Sequence, residues 1–129
     1  MKILKKETAP RYIREEGISS YLLASPRTSG AEYLTTSVVE IRPGGEQRIH
    51  SHDPEQIYYI LEGTGLMTVA DETAQVGPGD CIFIPSGAPH GLKNDGKVLL
   101  RYFSAAAPSF DREQLKRFWP LKSETETKV

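Results

Sequence analysis

The chain has 129 residues, enough for one hydrophobic core and too few for two, so a single domain over 1–129 is expected. Sixteen basic and seventeen acidic residues are interspersed to a net charge of −1, which leaves no electrostatic footprint for nucleic acid or an anionic membrane surface. The single cysteine, Cys81, permits no internal disulfide and, within Cys81-Ile82-Phe83-Ile84, reads as a small hydrophobe in a strand of a protein kept in a reducing compartment.

Residues 1–17 read as an N-terminal extension: three lysines surround Ile3-Leu4, far short of a signal-peptide core. No apolar run reaches membrane-spanning length, so a cytoplasmic protein without a membrane partner is expected. Residues 18–24 and 32–42, rich in Ile, Leu, Val, Tyr and Thr, predict strands. From Pro43 to Gly96, five prolines and nine glycines interrupt the chain too often for an ordinary helix. The pieces between them, 56–62, 66–70, 73–76, 81–84 and 97–104, predict further short strands, with Met67 in the core. Tight turns such as Gly77-Pro78-Gly79-Asp80 then point to an antiparallel sandwich or small barrel. Residues 109–129 predict a short C-terminal helix and tail: Asp111 and Gln114 form a capping box ahead of Leu115 and Phe118, Pro120 stops the helix, and the polar residues 123–129 fray.

All three histidines fall within two spaced blocks. In residues 44–63, Gly44 is followed by His50, His52, Gln56 and Gly63; in residues 79–94, Gly79 is followed by Pro85, Gly87, His90 and Asn94. Side chains alternate along a strand, so His50 and His52 project to one face, and Gln56 joins them if the turn at Asp53-Pro54 keeps register. Glu55 then points away. By the same parity Arg48 and Tyr58 are candidates for substrate binding, the arginine gripping a carboxylate and the tyrosine offering a hydroxyl. Imidazoles with an oxygen donor suit one divalent ion of Fe, Mn, Ni, Zn or Cu, with His50, His52, Gln56 and His90 as ligands. A carboxamide in place of a carboxylate leaves the full +2 charge on the ion, which predicts weaker metal binding, stronger Lewis acidity and a preference for an anionic, chelating substrate. Whether Gln56 or Glu55 is the fourth ligand is left open by parity across a proline.

The two blocks resemble the paired motifs of the cupin superfamily, G-x5-H-x-H-x3/4-E-x6-G and G-x5-P-x-G-x2-H-x3-N, with Gln56 where the first expects glutamate. The resemblance implies an all-β double-stranded β-helix, a jelly-roll barrel, and a homodimer whose surface the apolar stretch Tyr21-Leu22-Leu23 would supply. Three histidines with a glutamine also resemble the cupins that open unsaturated uronate sugars, although residues 104–107 lack the acidic residue that subgroup carries. Three functions follow as expectations: an isomerase or lyase acting on a small anionic molecule such as a sugar acid or keto acid, an Fe(II)-type dioxygenase, or a metal-containing binding or sensor module without turnover.

Overall fold

The structure, a computed structural model, describes residues 1–14 and 16–119. The helix stop expected at Pro120 and the frayed end expected over 123–129 lie outside the described residues. After one 3₁₀ turn (Lys6–Thr8) come ten strands: β1 (Arg11–Arg14), β2 (Ile18–Leu22), β3 (Thr35–Ile41), β4 (Glu46–His50), β5 (Glu55–Glu62), β6 (Gly65–Val69), β7 (Glu72–Val76), β8 (Cys81–Ile84), β9 (His90–Lys93) and β10 (Leu100–Ala107). One helix among the described residues, α1 (Arg112–Phe118), follows. The strands form two antiparallel sheets, one in the order β1-β2-β3-β10-β5-β8 and the other β4-β9-β6-β7. This is the antiparallel sandwich expected of the breaker pattern, in the jelly-roll form that the resemblance implies. No helix among the described residues is long and apolar enough to cross a membrane.

Alternation builds the core. Along β10, Leu100, Tyr102, Ser104 and Ala106 are buried in turn, while β5 turns Gln56, Tyr58 and Ile60 inward. Of these, Leu100, Tyr102, Tyr58 and Ile60 meet Ile18, Val39, Ile41, Met67, Ile84 and Leu92 between the sheets. Arg101, whose facing the sequence left open, lies on the outer side, where its Nε donates to Glu40 at 2.8 Å and its Nη1 to Glu62. Cys81 lies in its predicted strand, on the solvent side. Where β5 turns into β6, Gly63 has φ +79° and a Cβ there would stand 2.3 Å from the Leu99 carbonyl, so only glycine fits.

Two N-terminal expectations change. Residues 1–17 are more than an extension, because β1 pairs with β2 and completes one edge of the larger sheet. Leu22, expected to face a partner copy, is 1% exposed and packs with Ala106, Phe110, Leu115 and Trp119 in a second apolar cluster. The burial gained by docking β2 under the C-terminal segment takes that side chain away from the surface. The capping box of α1 forms as predicted: Gln114 N–H donates to Asp111 Oδ1 at 2.8 Å, and Asp111 N–H donates to Gln114 Oε1 at 3.0 Å. The helix therefore starts at a fixed point and lays Leu115 over one end of the sandwich.

Candidate metal centre

His50 ends β4 and His90 begins β9, and the two are cross-strand partners in the smaller sheet. His52 follows two residues beyond β4, and Gln56 enters from β5 of the larger sheet. The turn at Asp53-Pro54 thus carries the chain from one sheet to the other. Ring centroids lie 5.7 Å apart for His50 and His52, 4.2 Å for His50 and His90, and 4.8 Å for His52 and His90. One nitrogen from each ring falls within 4.8 Å of the others, so the three could converge on a single ion with small ring adjustments.

The hydrogen bonds select which nitrogens those are. Nδ1 of His50 lies 2.8 Å from the Arg48 carbonyl, Nδ1 of His52 lies 2.9 Å from the Pro54 carbonyl, and Nδ1 of His90 lies 2.9 Å from the Ala88 carbonyl. A carbonyl oxygen only accepts, so each ring carries its proton on Nδ1 and presents Nε2 as a lone pair. His90 Nε2 is buried and has no hydrogen-bond partner among the described residues. His52 Nε2 lies 2.9 Å from Gln56 Oε1, which places two electron-rich atoms face to face. Such an arrangement is costly for an empty protein and suits atoms that share a cation. Gln56 is held there by Ser104, whose Oγ accepts from the amide Nε2 at 2.6 Å. Glu55 is exposed and turned outward, as parity predicts.

The same burial depresses imidazole basicity. Loss of solvent pushes His90 down to about 4, opposed by the hydrogen bond to the Ala88 carbonyl and assisted by the neighbouring His50 and His52. His50 is lowered too, first by desolvation, against the pull of the Arg48 carbonyl. Neutral imidazoles are the form that ligates.

Arg48 lines the mouth of the cavity rather than its floor. The β4–β9 register shifts between Gln47 and His50, so Gln47 turns inward with His50 while the Arg48 side chain stays 76% exposed at the cavity mouth, 3.8 Å from Glu16. What Arg48 gives the centre is its backbone carbonyl. Tyr58 is buried as expected of its parity with Gln56, but its hydroxyl is engaged: Tyr58 and Tyr102 stack at 4.2 Å and both donate to Gln47 Oε1, at 2.8 and 2.6 Å. Burial raises both phenols well above their ordinary range.

A cavity of about 310 Å³ opens beside the histidines. Gln47, Tyr58, Tyr102 and Ser104 form its polar floor, Phe110, Phe118 and Trp119 an aromatic wall, and Tyr12, Arg14 and Glu16 a third side. Phe110 meets His52 edge to face at 5.0 Å. Little in the residue pattern signals this third side, because strand β1 is only four residues long and carries two arginines. Ser104 was findable, since it shares parity with Tyr102 on a strongly apolar strand. Gln47 was not, because a bulge hides it.

Comparison with known proteins agrees with the architecture. Residues 37–105 match the model of the cupin domain. An uncharacterized protein of Methanocaldococcus jannaschii is 34% identical over 116 residues, covering 88% of this chain and 93% of that one. The dimethylsulfoniopropionate lyase DddW of Ruegeria pomeroyi is 30% identical over 78 residues, 60% of this chain and 51% of that protein, so the match spans about half of that relative. Among solved structures, the polyketide cyclase RemF of Streptomyces resistomycificus superposes with a TM-score of 0.73 at 29% identity, covering 84% of this chain and 80% of that one.

Proposed function

The chain belongs to the cupin family, and from that premise we propose that it is an enzyme using one divalent ion to transform a small, anionic, oxygen-bearing substrate by isomerase or lyase chemistry. The observation that carries this reading is the set of three Nδ1–carbonyl contacts, which leaves three Nε2 lone pairs converging, one of them buried and otherwise unpartnered. His50, His52 and His90 would hold the ion through Nε2, and Gln56 through Oε1. Fe, Mn, Ni, Zn and Cu all accept such donors.

When bound, the ion supplies Lewis acidity that draws electron density from a substrate oxygen. Ser104 keeps the Gln56 oxygen turned toward the histidines, and that neutral donor leaves the centre attractive to an anion. The wall of Phe110, Phe118 and Trp119 excludes water and so strengthens the field felt by a bound substrate. The two phenols stay protonated through the physiological range and serve as a rigid floor rather than as bases. Glu16 is the one carboxylate lining the cavity among the described residues, and to it we assign proton transfer. The lyase and cyclase named above support chemistry of this kind.

A dioxygenase is the second reading, favoured by an aromatic wall beside a set of donors that would also suit Fe(II). A sensor without turnover is disfavoured by the carboxylate in the cavity. Elemental analysis of protein purified without added metal tests the reading: about one divalent ion per chain is expected, with at least about tenfold less in His50→Ala. Equal metal content in the two proteins contradicts it. Oxygen consumption after anaerobic iron loading and addition of candidate diketones would move the assignment to the dioxygenase.

A further inference from the structure

Strand β1 alternates, with Arg11 and Ile13 exposed and Tyr12 and Arg14 turned toward the cavity. Arg14 is the residue whose circumstances are unusual. Its side chain is 30% exposed, its one ion partner among the described residues is Glu16 at 3.9 Å, and it donates no hydrogen bond there. A guanidinium carries five donors in a planar fork suited to a carboxylate, and a half-buried one with a single loose contact has most of that capacity unused. Arg14 lines the same cavity as His50, His52, Tyr58 and Tyr102. Arg48, by contrast, stands in solvent at the mouth.

We propose that Arg14 is the specificity-determining residue of this cavity, binding a second anionic group of a substrate whose other end chelates the ion at His50, His52 and His90. The substrate class is therefore a small dianion, with a hydroxy-acid or oxo-acid end and a carboxylate or equivalent group beyond it. The inference rests on the metal-dependent reading above. A monoanion would satisfy the ion and leave the fork empty, whereas a dianion uses both. The cavity, about 310 Å³, has room for a molecule of this size.

Calorimetric titration of the zinc-loaded protein with lactate, malate and 2-hydroxyglutarate tests the proposal, since all three share the chelating end and only the last two add a carboxylate. The better of the two dianions is expected to bind about tenfold to a hundredfold more tightly than lactate. In Arg14→Gln that advantage should fall to about twofold or less, with zinc content and lactate affinity unchanged. Arg48→Gln should keep the advantage, because its charge is screened at the surface. Arg14→Met, which retains the packing of the stem, carries the same comparison if the glutamine variant fails to fold. A dianion advantage absent from the wild type, unchanged without Arg14, or lost equally without Arg48 overturns the proposal. A wild-type chain that takes up no zinc overturns the functional reading itself, and the proposal with it.

Discussion

Acidification of the metal-free protein should destabilise it from about pH 6.5 downward, before most carboxylates take up protons. His90 is fully buried and its imidazole is pushed from 6.5 to about 4, so between those values the unfolded chain holds a proton that the folded chain refuses. Stability is thus complete above pH 6.5 and is lost as the pH falls toward 4. One pKa unit corresponds to about 1.4 kcal/mol, and the titration is only partly traversed at pH 5, so the loss from pH 7 to pH 5 is about 2 kcal/mol, approaching about 3 at pH 4. His50, lowered in the same direction, adds to it. Glu40, held below its usual value by Arg101 and Lys6 against its desolvation, loses its contribution only at lower pH. Urea unfolding of chelator-treated protein at pH 7 and pH 5, beside His90→Gln, measures the effect. The variant should lose about 2 kcal/mol less than the wild type over this interval, with unchanged denaturant slope. Equal losses in the two proteins would refute the argument that burial of His90 governs the titration.

Gln56→Glu should tighten metal binding, since a carboxylate partly neutralises the ion, and Gln56→Ala should weaken it; competition with a chelating dye reads both, and an unchanged affinity in the alanine variant removes Gln56 from the ligand set. In Gly91→Ala the new Cβ would stand 2.8 Å from the Gln47 carbonyl and 2.9 Å from Ile49 Cδ1, prising β4 from β9 beside the paired His50 and His90. Both the melting temperature and the metal content should fall. Gln47→Leu strips the shared acceptor from two buried phenols at a cost of about 1–3 kcal/mol each, read by urea unfolding, and Tyr102→Phe in that background should recover part of the loss.

Period-two patterning made most of this fold legible. The inward set Gln56, Tyr58 and Ile60 and the outward Glu55 follow from alternation alone, as do the buried residues of β10, although which face β10 buries became clear only from its pairing with β5. The capping box at Asp111 was equally visible, because its signal is local. Alternation missed Gln47 for a definite reason: one shift of register between Gln47 and His50 brings it to the face His50 occupies, and nothing in Glu46-Gln47-Arg48-Ile49 marks where the shift falls. The four-residue strand β1 escaped notice as well, and with it Arg14 and Glu16, because its apolar content is too slight and its alternation too brief to register as a strand. The Nδ1 contacts that orient the imidazoles are made to carbonyls two residues away, a feature of backbone conformation rather than of residue type.

X-ray absorption spectroscopy of the protein loaded with one equivalent of zinc or nickel reads the donors around the ion. Three imidazole nitrogens and at least one oxygen at about 2.0–2.2 Å are expected, with one imidazole lost from the shell in His90→Ala. A shell with fewer than three imidazoles in the wild type, or one unaltered when His90 is removed, would contradict the convergence of His50, His52 and His90 on a common ion.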